Sequence, residues 1–132
     1  MATVNKFEDL EVWQMARKYA RSIYELTLKE KFAKEYKFKD QIKDSSGSVM
    51  DNIAEGFGRG SRLEFIQFLS IAKGSADEVK SQLYRILDYQ LITEEAFKKY
   101  YKQANTIGAK IYSFMKYLNK TEHKGTKFKN RS

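Results

Sequence analysis

The residues best placed to do chemistry are lysines. Between Ala96 and Thr121 there is no carboxylate, while Lys98, Lys99, Lys102, Lys110, Lys116 and Lys120 recur at spacings that put them on the outer side of a helix. Gln103, Thr106 and Tyr117 interleave with them, a mixture typical of surfaces that track phosphate backbones. A lysine-rich face also serves solubility alone, and the missing acids are what favour binding. The charge balance agrees. From Met1 to Glu95, 15 Lys and Arg stand against 16 Asp and Glu, a net of −1; from Ala96 to Ser132, 10 stand against one, Glu122, a net of +9. The excess behind the overall +8 therefore sits in the last segment, which points to a polyanion or an acidic partner surface.

Two other clusters compete for attention. Gly56-Phe57-Gly58-Arg59-Gly60 is glycine-rich and is followed by Arg62, so Arg59 and Arg62 are candidate anion contacts. Phosphate loops follow a strand and carry Lys-Ser/Thr, however, and this segment follows a helical pattern and carries neither. A glycine in left-handed conformation ending a helix, then a turn, is the simpler account. Asp40, Asp44, Asp51 and Glu55 fall within about 60° on one helix face. Carboxylate metal sites in bundles need histidine or convergent ligands on a facing helix, and the one histidine is His123 near the C-terminus, so no metal is expected. Cysteine is absent, which excludes disulfides, zinc ribbons and thiol catalysis. No nucleophile is paired with a base and no cofactor motif occurs; neither an enzyme nor a cofactor is expected.

The elements that must position these residues are helical. The 132-residue chain has no proline, nine Phe and nine Tyr, enough for one core in one domain. A first helix is predicted from a capping box at Asn5 and Glu8 to about Lys29, then a connection over Glu30 to Lys37 in which Phe32 and Tyr36 plug the bundle end. A second helix runs from about Phe38 to Phe57, with Ser45, Ser46 and Gly47 permitting close approach. The third opens on a Ser61/Glu64 capping box and continues to about Tyr89, with Phe65, Phe68, Leu69, Ala72, Ala76, Val79, Leu83, Ile86 and Leu87 in one arc. On its flanks Ile66 lines up with Tyr84, and Ile71 with Tyr89; these apolar stripes predict neighbouring subunits. Thr93 caps the fourth helix, which carries the lysines. Thr121 to Ser132 lacks periodicity and is expected to be a disordered basic tail in which Lys124 lengthens the positive stripe. Residues 1–120 are thus expected to form an all-α, antiparallel up-down-up-down four-helix bundle. Without a secretory signal or a membrane-length apolar run, a soluble cytoplasmic protein with no membrane partner is expected.

Particular residues carry a resemblance. Phe7-Glu8-Asp9-Leu10 with Val12-Trp13, then Asn52-Ile53-Ala54-Glu55-Gly56, Arg59, Ser61, Glu64-Phe65, Phe68-Leu69, Ile71-Ala72 and Gly74-Ser75 resemble the bacterial 23S rRNA-intervening-sequence protein family over about Phe7 to Leu118. The resemblance implies a left-handed antiparallel bundle, assembly as a homopentamer, no enzymatic activity, and kinship with the basic accessory variability proteins of diversity-generating retroelements. Many members carry Pro before the Asn-Ile-Ala-Glu-Gly block; Met50-Asp51 here lets the second helix continue unkinked. Two functions follow as expectations: a non-catalytic oligomer binding RNA or DNA by charge and shape, or an interaction oligomer whose lysine face is itself the interface.

Overall fold

Helix α4 runs from Arg62 to Asp88 because its buried arc recurs at helical spacing and its start is capped, which together outweigh Gly74 in its interior. Ser61 is extended, and its hydroxyl accepts a hydrogen bond from the Glu64 amide at 3.3 Å, the capping contact expected from the sequence. In this computed structural model, which describes residues 3–120 and 128–129, α4 is joined by α1 (Glu11–Thr27), the one-turn α2 (Glu30–Ala33), α3 (Tyr36–Gly58) and α5 (Glu94–Lys120). The fold is all-helical apart from a short 3-10 turn at Phe7–Asp9 and an antiparallel ladder of two residues per strand, Thr3–Val4 (β1) with Phe128–Lys129 (β2). The rest of the predicted tail, Lys124 included, lies outside the described residues.

Cross-helix contacts order the long helices. Along α3 and α4 they run in opposite senses: Gly56 meets Phe65 and Phe68, Ser48 meets Ser75, Ser45 meets Gln82 and Gln41 meets Arg85. Between α4 and α5 the pairs are Phe65 with Phe114, Lys80 with Asn105 and Tyr84 with Tyr101, again antiparallel. Helices α1 and α5 meet through Tyr19 and Tyr100 at one end and Glu11 and Lys110 at the other. Helix α1 packs on α3 more extensively than on α5. The core lies between these seams: Ile23, Ile42, Ile53, Phe65, Leu69, Leu83, Ile86 and Ile111 are fully buried, each stabilising by about 1.5–3 kcal/mol relative to exposure.

Glycine does identifiable work at two places. A Cβ on Gly56 would lie 2.5 Å from the Phe68 Cβ, so the bare backbone is what lets α3 approach α4 this closely. Gly60 turns the chain with φ 75°, so the left-handed residue is Gly60, after α3 has ended at Gly58.

Two local expectations change. The first helix begins at Glu11, since Leu10 is extended and fully buried, and no side chain caps the start. The apolar run Phe7, Leu10, Val12 and Trp13 is better buried by a tight turn than by a continuous helix, and Phe7 packs edge-on to Trp13 at 5.0 Å. Phe32, on α2, is buried and plugs the bundle as expected. Tyr36 does not: at 72% exposed it opens α3 and lies under the Lys39 ammonium at 5.2 Å.

Candidate nucleic-acid interface

Helix α5 presents its two faces by simple periodicity. Tyr100, Ala104, Ile107, Gly108, Ile111, Phe114 and Leu118 are buried, and residues about half a turn away face outward. Thr93 Oγ1 accepts from the Ala96 amide at 3.1 Å, and Glu94 and Glu95 occupy the first turn, where the helix dipole favours anions. Beyond them the outer face is basic. Lys98, Lys99, Lys102, Lys116 and Lys120 are exposed and Lys110 is half-buried; the row from Lys98 to Lys120 extends about 33 Å at 1.5 Å per residue.

The lysines are engaged to different degrees. Lys98 lies 3.6 Å from Glu94 and Lys110 lies 3.2 Å from Glu11 of α1. Such exposed pairs are weak and exchange readily for a phosphate. Lys99 sits over the Tyr100 ring and Lys116 over the Tyr112 ring, at 5.3 and 5.7 Å, which holds their stems along the helix.

The arginines beside the glycine turn have partners of their own. Arg59 Nη2 donates to Glu55 Oε2 at 2.7 Å and its guanidinium lies 4.9 Å from the Phe68 ring centre. Arg62 Nη1 donates to the Leu118 carbonyl at 3.1 Å, capping the last turn of α5. This bond brings Arg62 to the Lys116–Lys120 end of the row, whereas Arg59 is turned back along α3.

Sequence periodicity alone missed Lys18. It belongs to α1, yet it stands across from Lys102 over a groove of about 300 Å³ that Met15, Tyr19 and Ile107 floor. The Tyr19 hydroxyl donates to the Tyr100 carbonyl at 2.9 Å, and burial, with Tyr100 adding to it, pushes the Tyr19 phenol far above the usual tyrosine range. Only the pairing of α1 with α5 reveals this arrangement; Lys18 in isolation looks like ordinary helix surface.

The opposite side of the molecule is acidic. Asp40, Asp44, Asp51 and Glu55 are all exposed on α3, and a polar cleft of about 580 Å³ between α3 and α4 includes Asp44 and Glu78 on its walls. Two separate hydrogen bonds join the helices here, Gln82 Nε2 donating to Ser45 and Ser75 to Ser48, while Gln82 Oε1 is buried without a protein partner among the described residues. No cluster of three or more His, Cys, Asp or Glu that would hold a metal occurs among the described residues.

The apolar flanks of α4 divide. Ile66 is half-buried against the core. Tyr84, 51% exposed, packs on Phe97 and Tyr101 with ring centres 4.8 and 5.6 Å away, and the Tyr101 phenol beside it holds the Tyr84 phenol above its usual range. Tyr89 packs on Phe38 at 5.3 Å and remains 58% exposed; Ile71 is 52% exposed. Leu63 and Tyr112 are further exposed apolar groups that the sequence did not single out. No helix among the described residues is long and apolar enough to cross a membrane.

An all-helical bundle with one lysine-rich face and an acidic face opposite is the class of protein these features define. The chain belongs to the 23S rRNA-intervening sequence protein family, whose sequence model matches residues 8–113. It is similar to a protein of unknown function from the S23 ribosomal protein family of Bacteroides thetaiotaomicron, known from a crystal structure. The two are 28% identical over 80% of this chain and 98% of that one, with a TM-score of 0.73. No curated protein matches the chain.

Proposed function

We propose that the protein is a non-catalytic, cytoplasmic nucleic-acid-binding module, an antiparallel up-down-up-down four-helix bundle that works as a homo-oligomer and reads RNA by charge and shape. The observation that carries this reading is the exposed row Lys98, Lys102, Lys116 and Lys120 on a helix with no acid after Glu95. A pentamer, as the family resemblance implies, would repeat that row five times around a ring, and kinship with the retroelement accessory proteins is part of the same proposal. The test is the salt dependence of binding to a structured RNA. If each of five subunits neutralises one or two phosphates, log K falls with log salt at a slope of about −5 to −9. A flat dependence, or no binding at low salt, rules the reading out.

The exposed acids of α3 favour a second reading, in which the lysine face of one subunit meets the acidic face of the next and the assembly itself is the function. The double variant Lys102→Glu/Lys116→Glu separates the two. Under nucleic-acid binding the oligomer keeps its size in gel filtration and loses RNA; under the second reading it falls apart. Ile66, Ile71, Tyr84 and Tyr89 are the proposed subunit contacts common to both.

A further inference from the structure

We propose that the groove between α1 and α5 seats one unpaired nucleobase, with the flanking phosphates on Lys18 and Lys102, so that the protein prefers single strands. This rests on the nucleic-acid reading above and narrows it to a substrate class.

The groove has the layout such a ligand needs. Its floor is apolar, made by Met15, Tyr19 and Ile107, and its volume of about 300 Å³ suits one planar ring system at the small end of ligand pockets. Phosphate has no reason to enter an apolar floor, but a base does, since stacking and burial of its faces need no particular sequence. The rim is polar: Ser22 on one wall, Gln103 and Thr106 on the other. Exposed lysines stand on both walls at the groove mouth, so the charge is positive where a backbone would run and absent where the base would sit.

The site is also preorganised. Tyr19 is fixed by its bond to the Tyr100 carbonyl and by burial, so binding a ring against it orders nothing new. The Thr106 hydroxyl is turned along its own helix, donating to the Lys102 carbonyl at 3.0 Å. The α3/α4 cleft is larger, but every side chain lining it is polar and Asp44 and Glu78 outnumber Arg85 there, so it offers a base no apolar face and a phosphate chain a net negative wall. A duplex keeps its bases stacked inside and would reach the lysines alone, whereas a single strand can turn a base into the groove.

Binding of the full-length protein to three RNAs tests this: an oligouridylate, an abasic strand of equal length, and a blunt duplex of equal phosphate number. The intact strand should bind at least about fivefold tighter than the abasic one, the advantage expected for one stacked base. Thr106→Leu, and Ser22→Leu from the facing wall, fill the groove without changing charge or adding a ring on which a base could stack. Each should bring the intact strand down to the abasic level and leave the abasic strand unaffected. Equal binding of intact and abasic strands overturns the base site while leaving charge-driven binding in place. So does a preference that survives both leucine variants. A change in sedimentation in those variants, with intact and abasic strands bound alike by the wild type, assigns the groove to a subunit seam instead. Failure of every RNA to bind at low salt removes the parent reading, and this one with it.

Discussion

The α3/α4 seam and the α1/α5 seam join antiparallel helices in the same protein and are built on opposite plans. At α3/α4 the contact residues are small: Gly56 under Phe68, then Ser48 against Ser75 and Ser45 against Gln82. The backbones come close and hydroxyls satisfy one another across the gap. At α1/α5 the contacts are few and long-armed, Tyr19 to Tyr100 and Glu11 to Lys110, and a groove stays open between them. Close packing at Gly56 and Phe68 fixes the architecture, and the cleft farther along that seam is lined by polar side chains alone, whereas the α1/α5 groove keeps an apolar floor open.

The sharpest way to break this contrast is at Gly56. Gly56→Ala places a Cβ 2.5 Å from the Phe68 Cβ, which no rotamer change relieves, and should destabilise the protein by about 1–3 kcal/mol in urea unfolding. An unchanged midpoint would mean that the tight seam is not tight.

Tyr19→Phe probes the other seam and should cost about 1 kcal/mol at neutral pH through loss of the bond to the Tyr100 carbonyl. It also has a pH signature. Because burial raises the Tyr19 phenol above its ordinary value of 10.0, the fold holds that proton more firmly than the unfolded chain does. Its contribution is complete below pH 10.0 and declines as pH rises above it. The wild-type melting temperature should therefore fall more steeply than that of Tyr19→Phe above pH 10.0, measured by circular dichroism.

Gly108→Ala should do the reverse of Gly56→Ala. Nothing lies within 4 Å of a Cβ built there, so the helix-propensity gain of up to about 1 kcal/mol is realised as added stability. The smallest effect belongs to Glu11→Gln, which releases Lys110. Both side chains are about 40% exposed, so stability should change by less than about 0.5 kcal/mol, while RNA affinity holds or rises slightly.

What could be read from the sequence was whatever depends on one helix at a time. The buried arc of α4, the Ser61 and Thr93 caps and the lysine row of α5 follow from periodicity and local hydrogen bonding, and all lie where the spacing put them. The start of α1 did not follow, because a capping box at Asn5 and Glu8 competes with the burial of Leu10, and burial wins. The partner of Arg62 was not legible either. Glu55 is one turn from Arg59 and offers an ordinary helix pair, but Leu118 is 56 residues from Arg62 and meets it only once α4 and α5 have packed. The groove shared by Lys18 and Lys102 is tertiary in the same sense.

The bond from Arg62 to the Leu118 carbonyl has an evolutionary side. It ties the first turn of α4 to the last turn of α5, so it measures the distance along both helices and the connection between them. An extra residue in the connection near Gln90, which already takes the left-handed φ of 61°, can bulge into solvent and leave that measure intact. One extra residue inside α5 would turn every later side chain by about 100°, carrying Lys116 and Lys120 off the face that holds Lys98 and Lys102 and withdrawing Leu118 from Arg62. Length variation among descendants of this chain should therefore collect in the segment between α4 and α5 and avoid α5 itself.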